Sequence, residues 1–314
     1  MSTILAESAT VSSEPESIKR RRGGLWRAIL HNRKAVVGLV LFLLFCLAAA
    51  FPHIFVPWLH GPPDKVGAFD SELHPSLHHW LGTTQLGQDV YAELIYGTRE
   101  SLIIALVAGA GATIISVLIG VSAAYLGGLA DDALSLFTDV FLVLPAFPLI
   151  IVLATFAGKG NLTVVVLVLI VTGWSYGARQ MRAQGLSLRN RDFLESARVR
   201  GERRSYIILV EVLPTMTSLI AASFLGAALY SVLTAAGLQF IGLGDSSSLS
   251  WGTMLYWAQN QSALLSGFPA WALAPGVAVA LLGVSFALLN YAFDEIGNPA
   301  LRPVRRHRVK RANP

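Results

Sequence analysis

Six long runs of apolar residues constrain this chain more than any other feature. A helix needs roughly 20 apolar residues to cross the hydrocarbon core of a bilayer. The runs cover residues 35–56, 101–125, 132–157, 162–177, 215–243 and 271–293. Charged residues make up only 14% of the 314 residues, too few to cover a soluble fold of this size. Because backbone amides find no water in lipid, each run should be helical. We therefore predict an all-α, polytopic membrane protein with six transmembrane helices.

The positions of the basic residues predict the orientation. Of the 24 Lys and Arg residues, seven lie before residue 35, eight between Arg179 and Arg204, and six after Glu295. Six crossings place all of these on one face and leave three on the other: Lys65, Arg99 and Lys159. The positive-inside rule then puts both termini and the central basic loop in the cytoplasm. An odd number of crossings would scatter the same charges over both faces.

This topology divides the chain into three parts. Residues 1–34 form a cytoplasmic tail that we expect to be partly disordered, because its first 16 residues are rich in Ser, Thr and Glu. Residues 35–295 form the transmembrane domain, which includes a cytoplasmic loop at 179–212. Residues 296–314 form a basic cytoplasmic tail.

Two long loops, at residues 57–98 and 243–270, are predicted on the outer face. Loops of this length are often functional. The first ends in an amphipathic stretch at 90–96, and the second lacks Lys and Arg. Trp251, in the second loop, is a candidate gate of the outer mouth. Five tryptophans fall near this face, as an interfacial belt requires: Trp58, Trp80, Trp251, Trp257 and Trp271.

Two basic stretches look, in isolation, like nucleic-acid patches: Lys19–Arg22 and Arg305–Arg311. Beside membrane helices, such stretches are more simply determinants of topology that touch anionic lipid. We therefore expect membrane lipid, and not nucleic acid, as their partner.

No constellation of residues predicts an enzyme, a bound cofactor or a metal site. His74, His78 and His79 cluster in an outer loop, but no further ligands follow at metal-binding spacing. The chain has no G-x-x-x-x-G-K-[ST] phosphate-binding loop, so any ATP that it depends on must be bound by another chain. The glycines of Gly109-Ala110-Gly111, with Gly120, are expected to let neighbouring helices approach closely.

Three residues of the third run are candidates for gating or for lining a pathway: Asp139, Pro145 and Pro148. A carboxylate inside a membrane is costly to bury and is by default functional. The alternative for Asp139 is a pairing with the Arg179 and Arg182 end of a neighbouring helix. The two prolines should kink the run. Such kinks suit a pathway helix, but they also occur in plain bundles.

The central cytoplasmic loop predicts a short helix that ends at Gly201. Good helix formers run from Arg191 to Arg200, and a glycine then offers a natural stop. Leu213-Pro214 should interrupt any continuous helix that enters the fifth crossing. Glu195 and the flanking arginines supply charge for a partner, while Ser196 and Ala197 are small enough for close contact. The alternative is a solvated amphipathic connection with no partner.

These loop residues resemble a known family. Glu195-Ser196-Ala197, Gly201 and Leu213-Pro214 are similar to the E-A-A…G…L-P loop of permease subunits in bacterial ABC importers. Residues 79–97, HWLGTTQLGQDVYAELIYG, resemble the H-P-L-G-T-D-x-x-G-R-D-V…L-I-Y-G-A-R signature of the dipeptide/oligopeptide-type C permease. Residues 238–255 resemble its L-x-F-L-G-L-G…S-W-G-x-M-L segment. Trp271–Gly276 resembles the opening of its last crossing.

The resemblance implies a type I importer permease fold in the bacterial plasma membrane. It implies a second homologous permease subunit, two ATPase subunits that bind ATP and Mg, and an extracytoplasmic solute-binding protein. Six residues would couple the chain to the ATPases: Glu195, Ser196, Ala197, Gly201, Leu213 and Pro214. Trp251 would lie where the binding protein docks. The chain itself would hold no cofactor and perform no bond chemistry.

Several departures from the family pattern leave the solute open. Gln88 replaces the usual arginine, Thr84 the usual aspartate, and Ser196 the first alanine of the loop. Residues 290–298 depart from the usual ending of the last crossing. Members of the family import peptides, and also oligosaccharides, nickel and opines. A secondary transporter is the opposing class, but the inverted repeats and paired intramembrane charges that it predicts are not found in the sequence. A membrane enzyme would need a nucleophile with its base, or a set of metal ligands, and the scattered Ser and His residues do not supply either.

Overall fold

The computed structural model describes residues 32–59, 61–156 and 162–297. Within these residues the regular elements are helical, and no β-strand is present. The fold class is therefore all-α, as the sequence predicts. Residues 1–31 of the predicted N-terminal tail and 298–314 of the C-terminal tail lie outside the described residues.

Ten helices of eight or more residues follow one another along the described part of the chain. In order they are α1 (Arg33–Ala50), α2 (Val90–Leu126), α3 (Gly128–Val143), α4 (Ala146–Phe156), α5 (Leu162–Gly173), α6 (Ser175–Arg189), α7 (Asp192–Val199), α8 (Thr217–Phe240), α9 (Trp251–Asn260) and α10 (Pro269–Gly297). A single turn, Pro52–Phe55, follows α1. The segment between α7 and α8 consists of Arg204–Tyr206, a π-helix at Ile207–Val212, and Leu213–Thr215.

Five helices in the described part of the chain are long and apolar enough to cross a membrane. They are α1, α2, α5 continued by α6, α8 and α10. The pair α3 and α4 passes the same test together, but its two halves meet at 88°. It adds a sixth span only if the bent pair counts as one.

Helix α2 begins at Val90, before the apolar run that predicts the second crossing. The stretch at 90–96, predicted as the amphipathic end of the first outer loop, is the first part of this long helix. Asp89 caps the helix, because its carboxylate accepts hydrogen bonds from the amides of Tyr91 (2.9 Å) and Ala92 (3.1 Å). At 37 residues the helix is about 56 Å long, so part of it must project beyond the hydrocarbon core.

The third apolar run is not one helix. Leu144 has an extended backbone (φ −61°, ψ 131°), as the residue before a proline favours, and α3 ends there. Pro145 therefore produces the predicted kink. Pro148 lies in the first turn of α4, where the missing N–H has no helical partner to lose. The fourth run, predicted to end at residue 177, continues as α6 to Arg189.

Small residues allow α2 to pack closely at the centre of the molecule. A methyl group at Gly109 would lie 2.8 Å from the backbone nitrogen of Ala228 on α8. One at Gly111 would lie 2.5 Å from the side chain of Ile170 on α5, and one at Gly120 would collide with the carbonyl oxygen of Ala178 on α6. The close helix approach predicted from these glycines is confirmed.

Two of the five outer tryptophans do not belong to an interfacial belt. Trp251 and Trp271 are 1% and 3% exposed and lie in the main core cluster. The indole N–H of Trp251 donates to the carbonyl of Leu94 (3.0 Å), and its ring packs against Phe45. A tryptophan near a membrane face can lie at the lipid interface or be buried where helices meet. The sequence pattern does not distinguish these two positions. Trp80 and Trp257 are exposed.

Candidate coupling segment and translocation cavity

Helix α7 lies beside the ends of the long helices and presents one face outward. Leu194 and Ala197 are buried, while Glu195 and Ser196 are exposed. The buried pair packs in a cluster with residues of α2, α6 and the π-helix. The small side chain of Ala197 therefore serves packing within this chain, and the free surface of α7 belongs to Glu195 and its exposed neighbours.

Gly201 turns the chain directly after α7. Its φ of +77° lies in the left-handed region that side chains disfavour, although a methyl group there would meet no atom within 4 Å. The amide of Gly201 donates to the carbonyl of Arg198 (2.9 Å), and that of Glu202 to the carbonyl of Ala197 (3.2 Å). The glycine is needed at this position for its backbone freedom and not for space.

The interruption predicted at Leu213-Pro214 has a specific form. The π-helix Ile207–Val212 precedes these residues, and the helix breaks after them at Met216 (φ −98°, ψ 5°). No continuous α-helix joins α7 to α8, because Pro214 has no N–H to offer the preceding turn.

Polar contacts tie α7 to the ends of α2 and α6. Arg198 donates to the carbonyl of Arg189, the last residue of α6, at 3.0 Å. Its guanidinium also lies 5.7 Å from the ring centroid of Tyr125, near the end of α2. On the other side, Arg200 lies 3.8 Å from both Glu202 and Glu211. A displacement of α7 would therefore act on two long helices and the π-helix together.

Two ion pairs join α3 to α6. Asp139 accepts a hydrogen bond from Arg179 at 2.7 Å, so the helix pairing considered for this carboxylate is present. Arg182 makes a bidentate contact with Asp131 at 2.6 and 3.0 Å. The sequence did not single out Asp131, because it falls at the edge of the apolar run.

A large cavity in the described part of the chain has a volume of about 520 Å³. Its walls come from the α3–α4 bend, the α5–α6 junction, α8, and one residue each of α2 and α10. None of its lining residues is charged, and the polar ones carry hydroxyl or amide groups. They are Ser116, Thr172, Ser175, Tyr176, Gln180, Ser223, Tyr230 and Asn290. The cavity can accept neutral hydrogen-bonding groups between apolar walls.

The predicted pathway residues lie at different distances from this cavity. Pro145 lies between two lining residues, Leu144 and Ala146. Asp139 lines a separate, smaller cavity of about 110 Å³ beside Arg179. Neither Pro148 nor Trp251 lines the large cavity. The lining residues themselves were missed, since the same residue types fill helix contacts elsewhere.

The first outer loop is held by a polar cluster around Asp89. The carboxylate of Asp89 lies 2.9 Å from Nδ1 of His79 and 3.4 Å from the indole nitrogen of Trp58, in addition to the two amides that it caps. His74 and His78 are exposed and lie outside this cluster. Among the described residues, no three His, Cys, Asp or Glu side chains are placed to hold a metal ion.

Comparison with known families decides what kind of protein carries this arrangement. The profile of the binding-protein-dependent transport system inner membrane component family matches residues 116–295. The chain belongs to this family. A second profile, for the N-terminal transmembrane domain of oligopeptide transport permease C, matches residues 23–75. The resemblance drawn from the sequence motifs is confirmed.

Individual relatives agree with the profiles. The oligopeptide transport system permease protein of Mycobacterium tuberculosis is 32% identical over 290 residues, covering 91% of this chain and 97% of the relative. That of Bacillus subtilis is 28% identical over 251 residues, or 78% and 81% of the two chains. This inner-membrane component is thus a multi-pass transport protein, and its family is not one of catalytic enzymes.

Proposed function

We propose that this chain is one of two permease subunits of an ATP-driven importer, and that it forms half of a pathway for di- or oligopeptides. The observation that carries the proposal is the placement of α7. Its exposed Glu195 face is free to meet a partner, while its buried face is tied to α2, α6 and the π-helix. The oligopeptide permeases among its relatives support the solute class.

The proposed topology has six crossings, with the bent pair α3–α4 counted as one. Both termini and α7 lie in the cytoplasm, and the loops around Asp89 and α9 lie outside. The support comes from the basic residues, which concentrate near α7 and in the two tails.

In the proposed mechanism two separate ATPase subunits bind ATP and Mg and dock on α7 and its counterpart in the second permease. Closure of the ATPases moves α7, and Arg198 and the buried Leu194 transmit the motion to α2 and α6 as rigid units. Because α6 and the α5–α6 junction form walls of the large cavity, this motion changes its shape. An extracytoplasmic binding protein delivers the solute. No cofactor is needed in this chain.

The chemistry of the large cavity favours peptides over nickel as the cargo. Peptide amides need hydroxyl and amide partners, which Gln180, Asn290 and the cavity tyrosines supply. Oligosaccharides would use the same groups and remain a second candidate. Nickel would need imidazole, thiolate or carboxylate ligands, and the described lining contains none.

Cysteine cross-linking tests this arrangement in the assembled importer. The single native cysteine is first removed by Cys46→Ser. Val199→Cys, at an 83% exposed position on α7, should cross-link to an ATPase subunit. Leu77→Cys, at a 92% exposed position in the first outer loop, is the matched control. It should react with a membrane-impermeant reagent from outside and form no ATPase cross-link. Cross-linking at residue 77, or labelling of residue 199 from outside, would contradict the proposal.

A further inference from the structure

A second cavity, of about 230 Å³, lies on the face that the proposed function puts outside. It is enclosed by the first outer loop, the start of α2, the segment between α8 and α9, helix α9 and the start of α10. It shares no lining residue with the large cavity. Its volume suits one long side chain and is too small for a peptide of several residues.

Two buried polar atoms of this cavity have no hydrogen-bond partner among the described residues. They are the indole N–H of Trp271 and the amide oxygen Oε1 of Gln261. The side chain of Glu93, only 7% exposed, also lines the cavity. Buried polar groups nearly always have a partner, so these two atoms beside a buried carboxyl group point to a ligand. A buried carboxylate keeps its charge only beside a cation or several hydrogen-bond donors.

The cavity is acidic. Asp64 is exposed at its rim and close enough to act electrostatically on Glu93. No Lys, Arg or His is among the described lining residues, although Lys65 follows Asp64 in the chain. Ser247, on the opposite rim, donates hydrogen bonds from its hydroxyl and its amide to Asp245, and these bonds lower the pKa of that carboxyl. Negative charge therefore surrounds the opening.

We propose that this cavity receives a single basic side chain, Lys or Arg, from the extracytoplasmic solute-binding protein. The inference rests on the proposed function, which supplies that partner. Glu93, Asp64 and Gln261 Oε1 accept hydrogen bonds from the cation. A backbone carbonyl of the solute-binding protein, near its basic residue, accepts a hydrogen bond from the Trp271 N–H. The polar rim favours a protein in solution over a lipid headgroup. The cavity shares no lining residue with the large cavity, which argues against the transported peptide as its occupant.

Affinity measurements on the assembled importer test the proposal. The whole importer, with both permeases and both ATPases, is placed in nanodiscs, and the Kd for the solute-binding protein is measured. Glu93→Gln should weaken docking about tenfold or more, because it removes the buried carboxyl group with which the incoming cation would pair. Asp64→Asn, at the exposed rim, should weaken it about threefold. Asp70→Asn removes the same charge from an exposed position in the same loop outside the cavity, and should leave the Kd unchanged. Basal ATP hydrolysis should match the wild type in all three.

Each other outcome overturns the proposal in a recognisable way. Unchanged docking in Glu93→Gln and Asp64→Asn removes the cavity from the interface. An equal loss of affinity in Asp70→Asn assigns the effect to the overall negative charge of the loop and not to the cavity. Unchanged docking with reduced peptide capture assigns the cavity to cargo, and a loss seen only with phosphatidylethanolamine assigns it to lipid. Should Glu93→Gln fail to assemble, Asp64→Asn decides alone. Failure of the wild type to bind the solute-binding protein at all would instead refute the proposed function.

Discussion

At the scale of single residues, the closeness of the helices depends on side chains that are small or absent. Gly38 on α1 brings its carbonyl within 2.8 Å of the Ser285 hydroxyl on α10. Gly109 allows a similarly close approach of α2 to α8, because its Cα faces the backbone of Ala228 with no side chain between them. In a membrane, such close approach gives van der Waals contact that apolar burial alone does not supply. These positions are therefore sensitive to a single methyl group.

Gly109→Ala should destabilise the protein by about 1–3 kcal/mol, because the added methyl overpacks the α2–α8 contact. Gly276→Ala is the matched control, since a methyl on that helical glycine meets no atom within 4 Å. It should be neutral or stabilise by up to about 1 kcal/mol through helix propensity. Thermal unfolding in detergent measures both. Equal melting temperatures for the two variants would show that the close contact does not limit stability.

At the scale of elements, the sequence predicted α7 well and its neighbours less well. Good helix formers followed by Gly201 predict α7 and its end, and these are local signals. The apolar run predicted for α2 starts later than Val90, because polar residues such as Glu93 and Arg99 interrupt the hydrophobic pattern. Pro145 indicated a kink, but its angle depends on how α3 and α4 pack against α5 and α6, which a local pattern does not encode.

The turn at Gly201 gives a prediction at this scale. Gly201→Val should reduce ATP-dependent uptake strongly, because a β-branched residue resists the φ of +77° and would reorient α7. Gly201→Asn should retain more uptake, since asparagine tolerates this region better than other side chains. A Cβ at this position meets no atom within 4 Å, so backbone conformation and not crowding at the Cβ separates the two variants. Uptake assays in membranes with equal subunit levels distinguish the two, and equal loss in both would point to contact with a partner instead of backbone conformation.

At the scale of the whole molecule, length and hydropathy predicted the helical class and most of the spans, because lipid imposes the same requirement on every crossing. The large cavity was beyond such reasoning. Its polar lining is scattered from Ser116 to Asn290 over several elements, and nothing local separates Tyr230 from a tyrosine that packs. The outer cavity around Glu93 was hidden for the same reason. Both sites arise from long-range packing that places distant residues side by side.

The central claim is that the exposed face of α7 couples ATP hydrolysis by other subunits to transport. Peptide accumulation and ATP hydrolysis, measured together in proteoliposomes that contain the complete importer, test it most directly. Wild type should accumulate peptide only with ATP and the solute-binding protein. Glu195→Lys should lower uptake about tenfold or more per ATP hydrolysed, as reversal of a charge at a docked interface predicts. Asp70→Lys, at an exposed position of the first outer loop, should keep the wild-type ratio of peptide to ATP. Peptide uptake by this chain alone, without ATP, or an unchanged ratio in Glu195→Lys, would contradict the account.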